Sequence, residues 1–163
     1  MRTKRLTLLA IMLSVSIVLS IVESFIPLFI PGVKLGLANV VTLIIMYIYG
    51  EKDAFVILIL RIFLVAILRG TIFNVTFYLS LSGGMSAYLM MFLFKRMKVF
   101  SMIGVSIMGA FGHSVGQIAM AIFLIERTEL IYYLPYILVL SVATGVFTGI
   151  IATKSLQIVK KAI

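Results

Sequence analysis

Cysteine is absent from this chain, so no disulfide, thiolate-held metal or iron–sulfur cluster can form within it. Histidine occurs once, at His113, which excludes a bis-histidine haem within one chain. Aspartate also occurs once, at Asp53. A prenyl diphosphate synthase needs clustered aspartates to hold magnesium on a diphosphate, because that hard cation takes oxygen ligands. The residues therefore point away from an enzyme. No Walker loop, serine–histidine–acid set or metal-ligand cluster can be read, and Ser114 beside His113 points to a different helix face. No cofactor is implied, and any ATP-driven step would come from a partner.

Apolar residues are abundant instead. With 63% hydrophobic and 12% charged residues, and a mean hydropathy of +1.27, the 163 residues carry more apolar side chain than a domain of this size buries in water. The expected solvent is a bilayer. A span takes about 20 apolar residues across roughly 30 Å of hydrocarbon, and six apolar segments are legible at 6–26, 35–49, 54–68, 71–94, 100–125 and 130–152. The expectation is an all-α integral membrane protein in which 1–163 form a single transmembrane domain. The first segment follows Arg2, Lys4 and Arg5 like a signal peptide. It is long, lacks a small-x-small cleavage site and is read as an uncleaved helix. The second and third segments are short for a perpendicular span, which fits a thinned bilayer or a protein-lined cavity at their outer ends.

Lys and Arg are retained on the cytoplasmic side of membranes. An inside N-terminus puts Arg2, Lys4, Arg5, Lys52, Lys95, Arg96, Lys98, Lys154, Lys160 and Lys161 inside, against Lys34, Arg69 and Arg127 outside. Both termini are thus expected in the cytoplasm of a multi-pass cell-membrane protein. The net charge of +9 is this topology signal and not a nucleic-acid footprint.

The same topology sorts polar residues by depth, and those within the membrane gather in its outer half. The stretch from Pro31 to Asn39 puts a turn, a lysine and an asparagine between two apolar segments. His113 and Gln117 stand four apart on one helix face, and Asn74, Tyr78 and Ser82 form another stripe. Lys34, Asn39, Arg61, Arg69, Asn74, Tyr78, His113, Gln117 and Tyr136 make the candidate ligand-binding set, around an outward pocket of net positive charge. Its expected partner is a small molecule, partly anionic and partly apolar. Two readings stand for Arg61, a ligand contact or a structural pair with Glu23, and His113 is either a ligand contact or an interhelical hydrogen bond. Ala10 and Ser14 place small residues on one inner face of the first helix, where another membrane subunit could dock closely.

Three segments together carry a family resemblance. Pro31 to Thr42, a Leu81-Ser82-Gly83-Gly84 turn in the fourth helix, and Gly104 to Gln117 with its Gly-His-Ser-Val-Gly-Gln core resemble the Gx transporters, also called heptaprenyl diphosphate synthase component I. That family is similar to the S components of energy-coupling factor transporters. The resemblance implies a six-helix bundle with an outward pocket, substrate binding for uptake, and docking of a coupling transmembrane subunit and its ATPases on an Ala-x-x-x-Ala motif. Ala10 and Ser14 match that motif with serine in the second place. Besides membrane lipid, the alternative setting is a non-catalytic membrane subunit of a redox or prenyl-lipid assembly that binds a quinone, a flavin or an isoprenoid diphosphate.

Overall fold

The computed structural model describes residues 2–26, 34 and 36–162. These residues form six α-helices and no strand. The helices are α1 (Arg2–Glu23), α2 (Asn39–Ile48), α3 (Glu51–Leu68), α4 (Val75–Arg96), α5 (Met102–Ile125) and α6 (Leu134–Ala162), with a 3-10 helix at Thr128–Tyr133 leading into the last. Four helical stretches, Thr3–Glu23, Val75–Arg96, Met102–Ile125 and Thr128–Val159, are long and apolar enough to cross a membrane. The chain is a helical membrane protein.

The exception that shapes the rest is α2. Its ten residues rise about 15 Å, half the hydrocarbon thickness. Asn39 to Met46 are all buried, so the helix is apolar on every side and enclosed by protein. It touches each of the other five helices. Its C-terminal end is closed by Lys95, whose Nζ donates to the Met46 carbonyl at 2.7 Å and lies 3.5 Å from the Glu51 carboxylate. A cation there complements the negative end of the helix dipole. Next to it Arg5 pairs with Asp53 and stacks over Tyr49, 5.5 Å from the ring centroid. The first turn of α1 is thereby tied to the α2–α3 turn.

The most extensive packing joins α5 to α4 and α6. Glycines permit it, because the backbones approach too closely for a side chain. A Cβ on Gly116 would lie 2.7 Å from the Ser82 carbonyl, and one on Gly145 would lie 2.7 Å from the Ile107 Cα. Hydroxyls bridge the same seams. Ser82 donates to the Gly116 carbonyl at 2.7 Å, and Ser106 and Thr148 are 2.9 Å apart.

Three expectations need correction. The Leu81–Gly84 stretch is no turn: α4 runs unbroken through it, since a break in a membrane would strand backbone groups. There the glycine pair permits close packing instead. The second helix begins at Asn39, not at residue 35, and α6 continues to Ala162, ten residues past the expected end. An apolar run marks where lipid contact stops, and a helix continues beyond it wherever its side chains can be solvated.

Gly145→Ala is expected to destabilise the protein by about 1–3 kcal/mol, as overpacking does, because the obstacle is backbone. Gly104→Ala, whose Cβ would meet only side chains, Phe100 at 3.3 Å and Ser101 Oγ at 3.7 Å, should fall within about 0.5 kcal/mol of wild type. Reversible unfolding in mixed micelles measures both.

Candidate ligand site

The chain re-enters the bundle ahead of α2, and its backbone there needs partners that lipid cannot supply. Glu23, at the last position of α1 and buried, provides them. One carboxylate oxygen accepts from the Gly36 N–H and from the Leu37 N–H at 3.0 Å. Gly36 sits at φ +84°, in the left-handed region, where a Cβ would also press on the His113 ring at 3.2 Å. Only glycine suits that position. The Lys34 N–H donates to Gln117 Oε1 at 3.0 Å, and Lys34 Nζ reaches Ser80 Oγ at 3.3 Å.

A polar row runs beneath this loop from α3 to α5. Arg61 Nη2 donates to Asn39 Oδ1 at 3.0 Å, and Asn39 Nδ2 lies 3.2 Å from His113 Nδ1. All three side chains are buried. Gly83 makes room for the row's far end, for a Cβ there would fall 2.6 Å from Gln117 Cγ and 3.0 Å from His113 Cε1. Arg61 Nη1, His113 Nε2 and Gln117 Nε2 are buried with no hydrogen-bond partner among the described residues.

Above the row lies a cavity of about 30 Å³, lined by Glu23, Lys34, Asn39, Arg61, Arg69 and His113 among others. That is space for about two waters. Arg69 is exposed at its mouth, while Arg61 is 4% exposed at its floor. Three cations thus share the cavity with one carboxylate.

The model of the family described as heptaprenyl diphosphate synthase component I matches residues 12–155. The chain belongs to that family. No curated protein and no solved structure matches it. The family's name is that of one component of a synthase, and every residue of the polar row and of the cavity lies within the matched span.

Of the residues singled out in the sequence, Lys34, Asn39, Arg61, Arg69 and His113 line the cavity, and Gln117 holds the Lys34 backbone beside them. Three others lie apart. Asn74 is exposed and caps α4, accepting from the Val75 N–H at 2.7 Å. Tyr78 packs on the Leu58, Ile62, Ala66 and Phe77 cluster, and Tyr136 is 68% exposed on α6. Ala10 and Ser14 lie on an exposed face of α1, with Ser14 Oγ donating to the Ala10 carbonyl at 3.0 Å. Pro31 lies outside the described residues.

Ser80 and the two-amide role of Glu23 were not foreseen. A serine four residues after Thr76 on an apolar helix gives no distinctive signal. Glu23 was legible as a lone acid at a helix end, where it was considered as a partner for Arg61. Among the described residues the two form no ion pair within 4.0 Å. Arg61 is bound to an amide instead.

Glu23→Ala removes the acceptor of both loop amides. It should cost about 1.5–3 kcal/mol, the range for charge-assisted hydrogen bonds, with Glu23→Gln recovering part of the loss. Thermal unfolding of the purified protein in detergent ranks the three.

Proposed function

We propose that this chain is the ligand-holding membrane subunit of a larger assembly and captures a small, partly anionic amphiphile in the cavity beside α2. The observation that carries this reading is the charge balance of the site. Lys34, Arg61 and Arg69 face a cavity with Glu23 as its one lining carboxylate, and that carboxylate is already engaged by two backbone amides. A buried cation without a counter-charge is costly, and an anionic ligand group would offset that cost. Aliphatic and aromatic walls from Ile62, Val65 and Phe77 suit the apolar part of such a molecule.

In this reading the chain crosses the cell membrane six times, with α2 covering only part of the second crossing, both termini are cytoplasmic, and the cavity opens to the opposite face. The arrangement fits a substrate-binding subunit for uptake, with Ala10 and Ser14 on the face offered to a coupling subunit. The family name favours a second setting, a non-catalytic membrane component of prenyl-lipid synthesis whose ligand carries a diphosphate. In both settings the chemistry belongs to a partner, because Asp53 stands alone and is held by Arg5 at the other end of α2.

Two measurements test this. Combined Lys34→Gln, Arg61→Gln and Arg69→Gln should abolish saturable binding of farnesyl diphosphate and of flavin mononucleotide by the protein in nanodiscs; unchanged binding would remove the proposal. Because the chain has no cysteine, single cysteines report topology without background. Lys98→Cys and Lys154→Cys should react with impermeant maleimide only from the cytoplasmic side, and Arg127→Cys only from the other.

A further inference from the structure

The hydrogen-bond polarity of the buried row follows from chemistry, independently of how its amides are drawn. A guanidinium has only donors, so the Asn39 atom that faces Arg61 Nη2 at 3.0 Å is the oxygen. The atom facing His113 Nδ1 at 3.2 Å is then the amide nitrogen, which only donates. Nδ1 must therefore accept, and the single proton of a neutral imidazole resides on Nε2. An imidazolium would set an N–H against the Asn39 NH₂. The same logic fixes Gln117. Its Oε1 accepts from the Lys34 backbone N–H at 3.0 Å, which leaves its NH₂ free.

The three buried atoms left over, Arg61 Nη1, His113 Nε2 and Gln117 Nε2, are then all N–H donors. Gly36 and Gly83 leave the space the imidazole occupies, since a Cβ at Gly36 would fall 3.2 Å from Cδ2 and one at Gly83 3.0 Å from Cε1. We propose that Asn39 is a positioning residue that locks His113 as the Nε2–H tautomer, so that His113 Nε2 joins Arg61 Nη1 as an unpartnered donor on residues lining the cavity floor and the floor selects an oxyanion head group. A cationic head group, such as an ammonium, meets three cationic side chains there against the one carboxylate of Glu23. The proposal rests on the capture reading above and adds which end of the ligand enters first and what sets its polarity.

His113 is the only histidine, so a histidine-selective ¹⁵N label gives one imidazole spectrum for the full chain. In phosphatidylcholine nanodiscs near neutral pH the wild-type protein should show a protonated Nε2 and a bare Nδ1. Addition of inorganic pyrophosphate should shift Nε2 more than Nδ1. Asn39→Asp puts an acceptor against Nδ1, should move a proton to that nitrogen, and should weaken pyrophosphate binding by about tenfold or more, as loss of one charge-assisted hydrogen bond predicts. Phosphatidic acid in the nanodisc forms a second arm: an Nε2 shift there but not with pyrophosphate assigns the oxyanion to a lipid head group and supports the same floor.

A wild-type spectrum with Nδ1 protonated overturns the proposal without any variant. So does pyrophosphate that binds while Nε2 stays still, since the anion then sits at the mouth with Lys34 and Arg69. If neither oxyanion binds, the oxyanion-selective floor is wrong even with the expected tautomer. Loss of farnesyl diphosphate and flavin mononucleotide binding as well would carry the capture reading down with it.

Discussion

A helix that stops halfway through a membrane leaves its terminal backbone groups in a medium that cannot hydrogen-bond them. The ten residues of α2 rise only about half the hydrocarbon thickness, and much of the surrounding structure serves to satisfy its ends. At the N-terminal end Glu23 accepts from the Gly36 and Leu37 amides. At the C-terminal end Lys95 donates to the Met46 carbonyl. Each charge has the sign that the adjoining end of the helix dipole favours. The two side chains come from α1 and α4, so satisfying α2 also fixes where those helices stand.

This solution makes the cavity electropositive. With Glu23 bonded to the loop amides, Arg61 hydrogen-bonds the neutral Asn39, and the cavity's three cationic side chains outnumber its one carboxylate. The irregular backbone that precedes α2 is tolerated because it lines a polar space instead of facing lipid. Structural need and binding capacity are thus one feature: the groups that rescue the half-helix also decide the sign of the site beside it.

How much of this could be read in the residues depended on the range of the interaction. The helices announced themselves through apolar run length, and the polar cluster through topology, because both are properties of composition along the chain. His113 and Gln117 were recognisable as a pair from their four-residue spacing, and both meet the Lys34–Asn39 stretch as expected. Boundaries inside apolar sequence were less legible. Residues 35–38 are as apolar as the helix that follows, so nothing marked Asn39 as its start. Asn74 and Gly83–Gly84 are residue types whose role their identity alone leaves open. In the fold Asn74 satisfies its own helix, while Gly83 clears space for a neighbour's side chains. Which of these a residue does depends on what packs against it, and that is not local information. The partner of Glu23 was illegible for the same reason: a carboxylate's choice between a guanidinium and two amides is settled by a loop thirteen residues on.

The walls of the site differ in how firmly they are held. His113 and Gln117 belong to α5, whose seams with α4 and α6 bring backbone against glycine at Gly112, Gly116, Gly145 and Gly149. Interiors packed at that distance have little freedom to deform. Glu23 and Arg61 belong to α1 and α3, which pack less extensively on their neighbours and expose Val15, Val18, Val22, Ile67 and Leu68 to the surroundings. A cavity of about 30 Å³ must enlarge to hold more than a head group. The least costly displacement is of the α1 and α3 side, where few backbone contacts would be lost, and it leaves the donors of α5 in place. The fold therefore pairs firmly packed donors on α5 with a more loosely packed α1 and α3 side that carries Glu23 and Arg61, and the loop that bonds Glu23 on one side and Gln117 on the other joins the two.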